Sequence, residues 1–289
     1  MKQCQHRYRL PALMALLCLL LSGCDRGSVP QQPAEPESTA AAGASREQPS
    51  DVRKILRVAA ASDLRFALDE IKAKFEQAHS DCQVEVVYGS SGNLYAQIAN
   101  KAPFDVFLSA DISYPRQLID AGLAAADSEF SYGRGRIVVW VPNASTLVLN
   151  DDNIAAALTA PGTKKIAIAN PRHAPYGRAA EAALVALGVY DAVKDRLVLG
   201  ENVAQAAQFV ESGAADAGLI ALSLALAPPM RDKGRFWPVP ERFHPPLEQG
   251  GAVMAYTANP AAARALCDFL QGDEAQEVLH GYGFVLPAG

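Results

Sequence analysis

Short apolar runs bounded by small or turn-forming residues alternate along this chain with segments whose apolar residues recur three or four positions apart. The first such pair passes through Leu56-Arg-Val-Ala-Ala-Ala-Ser-Asp-Leu64. Val58 and the alanines after it suit a buried parallel strand, while Leu64, Leu68, Ile71 and Phe75 mark one face of a helix. Ser62 sits at the junction and is read as the N-cap of that helix. The same device recurs where Val84–Tyr88 leads through Gly89-Ser90-Ser91-Gly92 into a helix ending near Ile98. It recurs where a strand at 105–109 leads to a helix around 114–121, with Ser109 and Asp111 explained most simply as caps. A strand at 165–169 is followed by the turn Asn170-Pro-Arg-His-Ala-Pro-Tyr-Gly177 and an alanine-rich helix from Arg178 to Leu187, ended by Gly188. A strand at 196–199 leads through Gly200-Glu-Asn202 into a helix at 203–212, for which Asn202 is the natural cap. Further strands are expected at 136–142, which Pro142 ends, at 217–221 and at 252–256; helices at 260–270 and 273–280 close the chain. Strands and helices in alternation predict an α/β fold with largely parallel sheets.

The first fifty residues break this pattern. Lys2, Arg7 and Arg9 form a basic start, Leu10 to Leu21 is an apolar run too short to span a membrane, and Leu21-Ser22-Gly23-Cys24 follows. That ending resembles a lipobox, which implies a lipoprotein signal peptide at 1–23, acylation of Cys24 and export of the mature chain. Residues 24–53 hold four prolines among Ala, Ser, Gln and Glu with little that is large and apolar, the composition of a disordered tether. The 236 residues from Lys54 onward suffice for two lobes, with 54–141 plus 250–289 read as lobe I and 142–249 as lobe II.

Charge and motif content narrow the chemistry. Removing Lys2, Arg7 and Arg9 from the 26 basic residues leaves 23 against 31 acidic ones, a net charge of −8, and no Lys/Arg run; nucleic acid is a poor partner. Catalytic templates are missing: there is no His-Glu-x-x-His, no phosphate-binding Gly-x-x-x-x-Gly-Lys, no Gly-x-Ser-x-Gly and no Cys-x-x-Cys, and the histidines are scattered, so no enzyme is expected. Cys82 and Cys267 are the cysteines left in the folded part, and Cys267 reads as a small core residue of an apolar helix rather than half of a disulfide. What remains is a set of four polar helix starts, two per lobe, at Ser62, Ser90/Ser91, Pro175/Tyr176 and Asn202/Val203. A helix start presents unpaired N–H groups at the positive end of its dipole and suits a small anion. Capping alone explains any one of the four; four at the carboxyl ends of strands are the arrangement in which open α/β sheets collect ligands.

Five separated runs resemble one family. They are Ala-Ala-Ala-Ser-Asp-Leu (59–64), Gly-Ser-Ser-Gly-Asn-Leu (89–94), Phe-Asp-Val-Phe-Leu-Ser-Ala-Asp (104–111), Asn-Pro-Arg-His-Ala-Pro-Tyr-Gly (170–177) and Gly-Glu-Asn-Val (200–203). In these residues and their order the chain resembles the molybdate-binding proteins of ABC transporters, over about 55–286. The resemblance implies a two-lobed periplasmic-binding-protein fold of type II, each lobe a mostly parallel sheet flanked by helices. It implies a monomer that closes over molybdate or tungstate, uses no cofactor, and delivers its anion to a permease and its ATPase; the lipobox adds a lipid anchor outside the cytoplasm. The metal would be met only as this oxyanion. By the same resemblance the ligand is held by Ser62 and Ser91, through hydroxyl and backbone N–H, and by the N–H groups of Tyr176 and Val203, with Ser90 and Asp63 as neighbours. Some members supply a tyrosine hydroxyl at the position of Ala221; here Tyr176 or a water is expected to replace it, and the Asp63 carboxylate is expected to point away from the cleft along its helix. A receptor for sulfate or phosphate, or a sensor domain without transport, stands as the alternative.

Overall fold

The computed structural model describes residues 53–287; the signal segment, Cys24 and the tether lie outside the described residues. The chain runs through β1 (Lys54–Ala61), α1 (Arg65–Ala78), β2 (Cys82–Gly89), α2 (Ser91–Ala99), β3 (Val106–Ser109), α3 (Ser113–Asp120) and β4 (Phe130–Gly135). It continues with β5 (Ile137–Pro142), α4 (Ile154–Thr159), β6 (Ile166–Ala169), α5 (Pro175–Ala186), α6 (Tyr190–Val193), β7 (Leu197–Gly200), α7 (Val203–Glu211), β8 (Ala217–Ala221), α8 (Leu222–Ala225) and β9 (Gly234–Pro238). β10 (Leu247–Val253), α9 (Pro260–Gln271) and α10 (Asp273–Gly281) complete it.

Two five-stranded sheets result, in the orders β2-β1-β3-β10-β4 and β7-β6-β8-β5-β9. β10 runs antiparallel to both β3 and β4, and β5 runs antiparallel to both β8 and β9, so in each sheet one strand opposes the other four. β1 is parallel to β2 and β3, and β6 to β7 and β8. Of these, β3, β6, β8 and the second half of β1 are buried on both faces, while the edge strands β2 and β7 stay partly exposed. Leu56, Val58 and Ala60 pack with α1, α9 and α10 residues such as Phe75, Leu266 and Leu279, while Ala59 and Phe107 point the other way toward Leu94, Ile98 and Leu118. Each large apolar side chain so enclosed contributes about 1.5–3 kcal/mol. A separate cluster around Val139, Trp140, Ile168 and Leu219 forms the core of the second lobe.

The sequence places the crossing between lobes at 140–143 and counts the strand ending at Pro142 with lobe I. Sheet pairing corrects this: Ile137–Trp140 pairs with Ala221–Gly218, so β5 belongs to lobe II and only Arg136 lies between the last strand of one sheet and the first of the other. The strand expected at 252–256 begins earlier, at Leu247, and carries a register shift at Gln249/Gly250 that hides its alternation. The helix expected from Ser62 begins at Arg65; Ser62–Leu64 form a 3₁₀ turn before it, and the Ser62 side chain caps no helix of its own. Cys82 and Cys267 are both free thiols and buried.

Candidate ligand-binding site

Five chain segments meet at one small space between the lobes. The room it leaves for a water-sized sphere is about 10 Å³, and it is walled by Ser62 and Asp63 after β1, Ser90 and Ser91 after β2, Ala110 after β3, Ala174–Tyr176 after β6 and Val203 after β7. All lie at the carboxyl ends of parallel strands, and all but Ala110 where the first turn of the next helix or 3₁₀ turn begins. Ser62, Ser90, Ser91, Tyr176 and Val203 are each at most 4% exposed. No lysine, arginine or histidine is among the lining residues.

The hydrogen bonds around this space leave particular donors over. Pro175 has no N–H, and the amides of Gly177 and Arg178 both bond the Ala174 carbonyl, which leaves the Tyr176 N–H without a partner in the first turn of α5. In α7 the Ala204 N–H donates to Ser62 Oγ (3.4 Å) and the Gln205 N–H to Asn202 Oδ1 (3.0 Å), leaving the Val203 N–H. Ser91 Oγ accepts from the Ala110 N–H (3.0 Å), so its own proton remains to be given. Asn202 caps α7 as its sequence position predicts. Ser109 and Asp111 do not cap α3, whose cap residue is Ile112 with no side-chain bond; Ser109 Oγ bonds the Asp111 main chain, and Asp111 Oδ1 accepts from the Ser113 N–H at 3.0 Å, bracing the turn ahead of the helix. Asp111 also binds Arg178 at 2.7 Å through its other oxygen, a contact between lobes that no local pattern announces.

Asp63 departs from expectation. Its carboxylate does not run off along the helix into solvent; it is 1% exposed, and Oδ2 accepts from Tyr176 Oη–H (3.0 Å) and from Gln249 Nε2 (2.7 Å), while Oδ1 has no side-chain partner. Burial pushes this carboxyl up to about 6 against the pull of those two donors, because no cation is near enough to offset the lost hydration. The Tyr132 and Tyr176 phenols are held well above their usual range by burial and by the Asp63 charge. Since the Tyr176 hydroxyl is engaged by Asp63 and by Gln249 Nε2 (3.1 Å), it does not stand in for the tyrosine missing at Ala221, which is itself fully buried in β8. Sequence reasoning missed Gln249, which sits before two glycines in a strand without alternation, and Ser223, whose hydroxyl donates to the Asp63 carbonyl at 2.8 Å.

Two mixed α/β lobes joined by short crossings, shut over a space walled by hydroxyls and helix-start amides, define a binding protein for a small anionic solute. The chain belongs to the bacterial extracellular solute-binding protein family, whose profile matches residues 56–285. The molybdate-binding protein ModA of Azotobacter vinelandii is 36% identical to it over 231 residues, 80% of this chain and 90% of that protein. ModA of Rhodobacter capsulatus is 37% identical over 202 residues, 70% of this chain and 77% of that protein. The solved periplasmic molybdate-binding protein of A. vinelandii superposes with a TM-score of 0.75 at 34% identity, covering 81% of this chain and all of that one.

Proposed function

We propose that this protein captures molybdate between its lobes outside the cytoplasm and delivers it to an ABC permease and its ATPase. The observation that carries this reading is the set of neutral donors left unpaired around one small space: the N–H groups of Tyr176 and Val203 and the hydroxyls of Ser62 and Ser91. An anion stripped of water by closure is tolerated only where several charge-assisted hydrogen bonds replace its hydration. A cage of amides and hydroxyls on helix starts also fixes a radius. Sulfate, being smaller, leaves donors too far away, whereas tungstate, nearly the size of molybdate, is bound alongside it.

The test is a thermal-shift panel of oxyanions on the protein. A ligand that binds only the folded state stabilises it by RT ln(1 + [L]/Kd), about 2.7 kcal/mol at a hundredfold excess over Kd, so molybdate and tungstate should raise the melting temperature clearly and sulfate and phosphate little. Equal shifts with sulfate and molybdate would return the chain to the general oxyanion binders. The anchor is tested apart from the ligand. With Cys24 acylated the protein sediments with membranes and Cys24→Ala does not; a wild-type protein found wholly in the soluble fraction would refute the anchor.

A further inference from the structure

Ser90 is the N-cap residue of α2, yet its hydroxyl makes no bond to that helix. An N-cap serine ordinarily gives its oxygen to the N–H two or three residues on. Here the Gly92 N–H is taken by a residue of the other lobe, the His173 carbonyl, at 2.9 Å, and the Ser90 side chain bonds neither it nor the Asn93 N–H. The freed Ser90 hydroxyl lies 2.8 Å from His173 Nδ1. His173 therefore grips the start of α2 twice, by main chain and by ring, and Ser90 is held against it while lining the cavity.

Which of the two gives the proton decides what Ser90 can do for an anion. If the ring accepts, the hydroxyl proton is spent and only lone pairs face the ligand, which repels it. If the ring donates, one Ser90 lone pair is occupied and the proton is left for the cavity. The other two serines settle on the second pattern: Ser91 accepts the Ala110 N–H and Ser62 accepts the Ala204 N–H, each with its own proton unspent. We infer that His173 is a positioning residue whose Nδ1–H donates to Ser90 Oγ and turns the Ser90 hydroxyl proton into the cavity as a third hydroxyl donor. The inference rests on the oxyanion reading above. It makes His173 act through Ser90 without touching the ligand, and it ties the orientation of the third donor to the meeting of the lobes, because His173 and Ser90 come from opposite lobes.

The test is a double-mutant cycle on the molybdate affinity of the full chain with Ser90→Ala and His173→Ala, supported by the ring tautomer. Loss of one donor to a charged ligand weakens binding about tenfold or more, and each single variant should show this. The double variant should bind no more weakly than Ser90→Ala alone; losses that multiply would overturn the inference. His173→Asn places an amide N–H where Nδ1 was and should recover most of the loss. In ¹⁵N-labelled protein saturated with molybdate, His173 Nδ1 should carry a proton; a bare Nδ1 would overturn the assignment even if the affinities agreed. Should the wild type bind sulfate or phosphate in place of molybdate, the ligand reading fails and the same cycle, run with that anion, decides on His173. A wild type that binds none of the three overturns both.

Discussion

At the scale of single residues the carboxylate of Asp63 sets charge against burial beside the anion cavity. Its carboxyl is raised to about 6 in the folded protein by burial, against an unfolded value near 3.8. Between those values the folded state holds more protons than the unfolded one, so this residue's contribution is most favourable below about pH 4 and is lost as the pH rises through 6. Two pH units correspond to about 2–3 kcal/mol. Asp63→Asn removes that dependence, so the stability of the variant relative to wild type should grow by about that amount from pH 4 to 7 in denaturant titrations. A difference that stays flat with pH would mean that the carboxylate is hydrated. The same change should tighten molybdate binding at pH 8, where the wild-type charge opposes a dianion; a hundredfold loss would point to an anion bound in protonated form. That the polar starts at Ser62, Ser90/Ser91, Pro175/Tyr176 and Asn202/Val203 would come together was legible because each follows a strand and opens a turn; singling out Ser62, Ser91, Tyr176 and Val203 among them took the family resemblance. The inward turn of Asp63 was not legible, since it depends on Tyr176 and Gln249, which lie 113 and 186 residues away in sequence.

Among the elements, α2 shows how closely the lobes approach. A Cβ on Gly92 would come within 2.6 Å of the His173 carbonyl oxygen and 3.0 Å of the Tyr114 hydroxyl. Backbone on the His173 side leaves no flexible neighbour there to give way. Gly92→Ala should therefore weaken ligand binding at least tenfold while leaving the melting temperature of the unliganded protein little changed, because the Tyr114 side chain of the same lobe can shift and the backbone obstacle at His173 is met only when the lobes close. A variant that binds as tightly as wild type would show that closure does not need this contact. Readability at this scale follows burial. β5, β6 and β8 lie inside their sheet, and apart from Pro142 at the end of β5 they are buried along their whole length, so they stand out as continuous apolar runs. β4 and β9 lie at sheet edges, with glycines, arginine and serine among few apolar residues, and carry no run to find.

For the whole molecule, two sheets and alternation of elements were legible, and the point of crossing was not. An apolar strand such as Ile137–Pro142 fits either lobe, and only its pairing with β8 and β9 assigns it. That pairing makes lobe II one uninterrupted segment, while lobe I must wait for β10, which inserts between β3 and β4 and is hydrogen-bonded to both. A chain ended at Pro246 should accordingly show lobe II resistant to limited proteolysis and lobe I readily cut; equal resistance of both would mean that β10 is dispensable. As the exported chain emerges from the membrane, amino end first, this arrangement sets an order of events. The later half can settle while the earlier half still exposes the gap between two of its strands, and the first stretch of the fold to emerge is among the last to be secured.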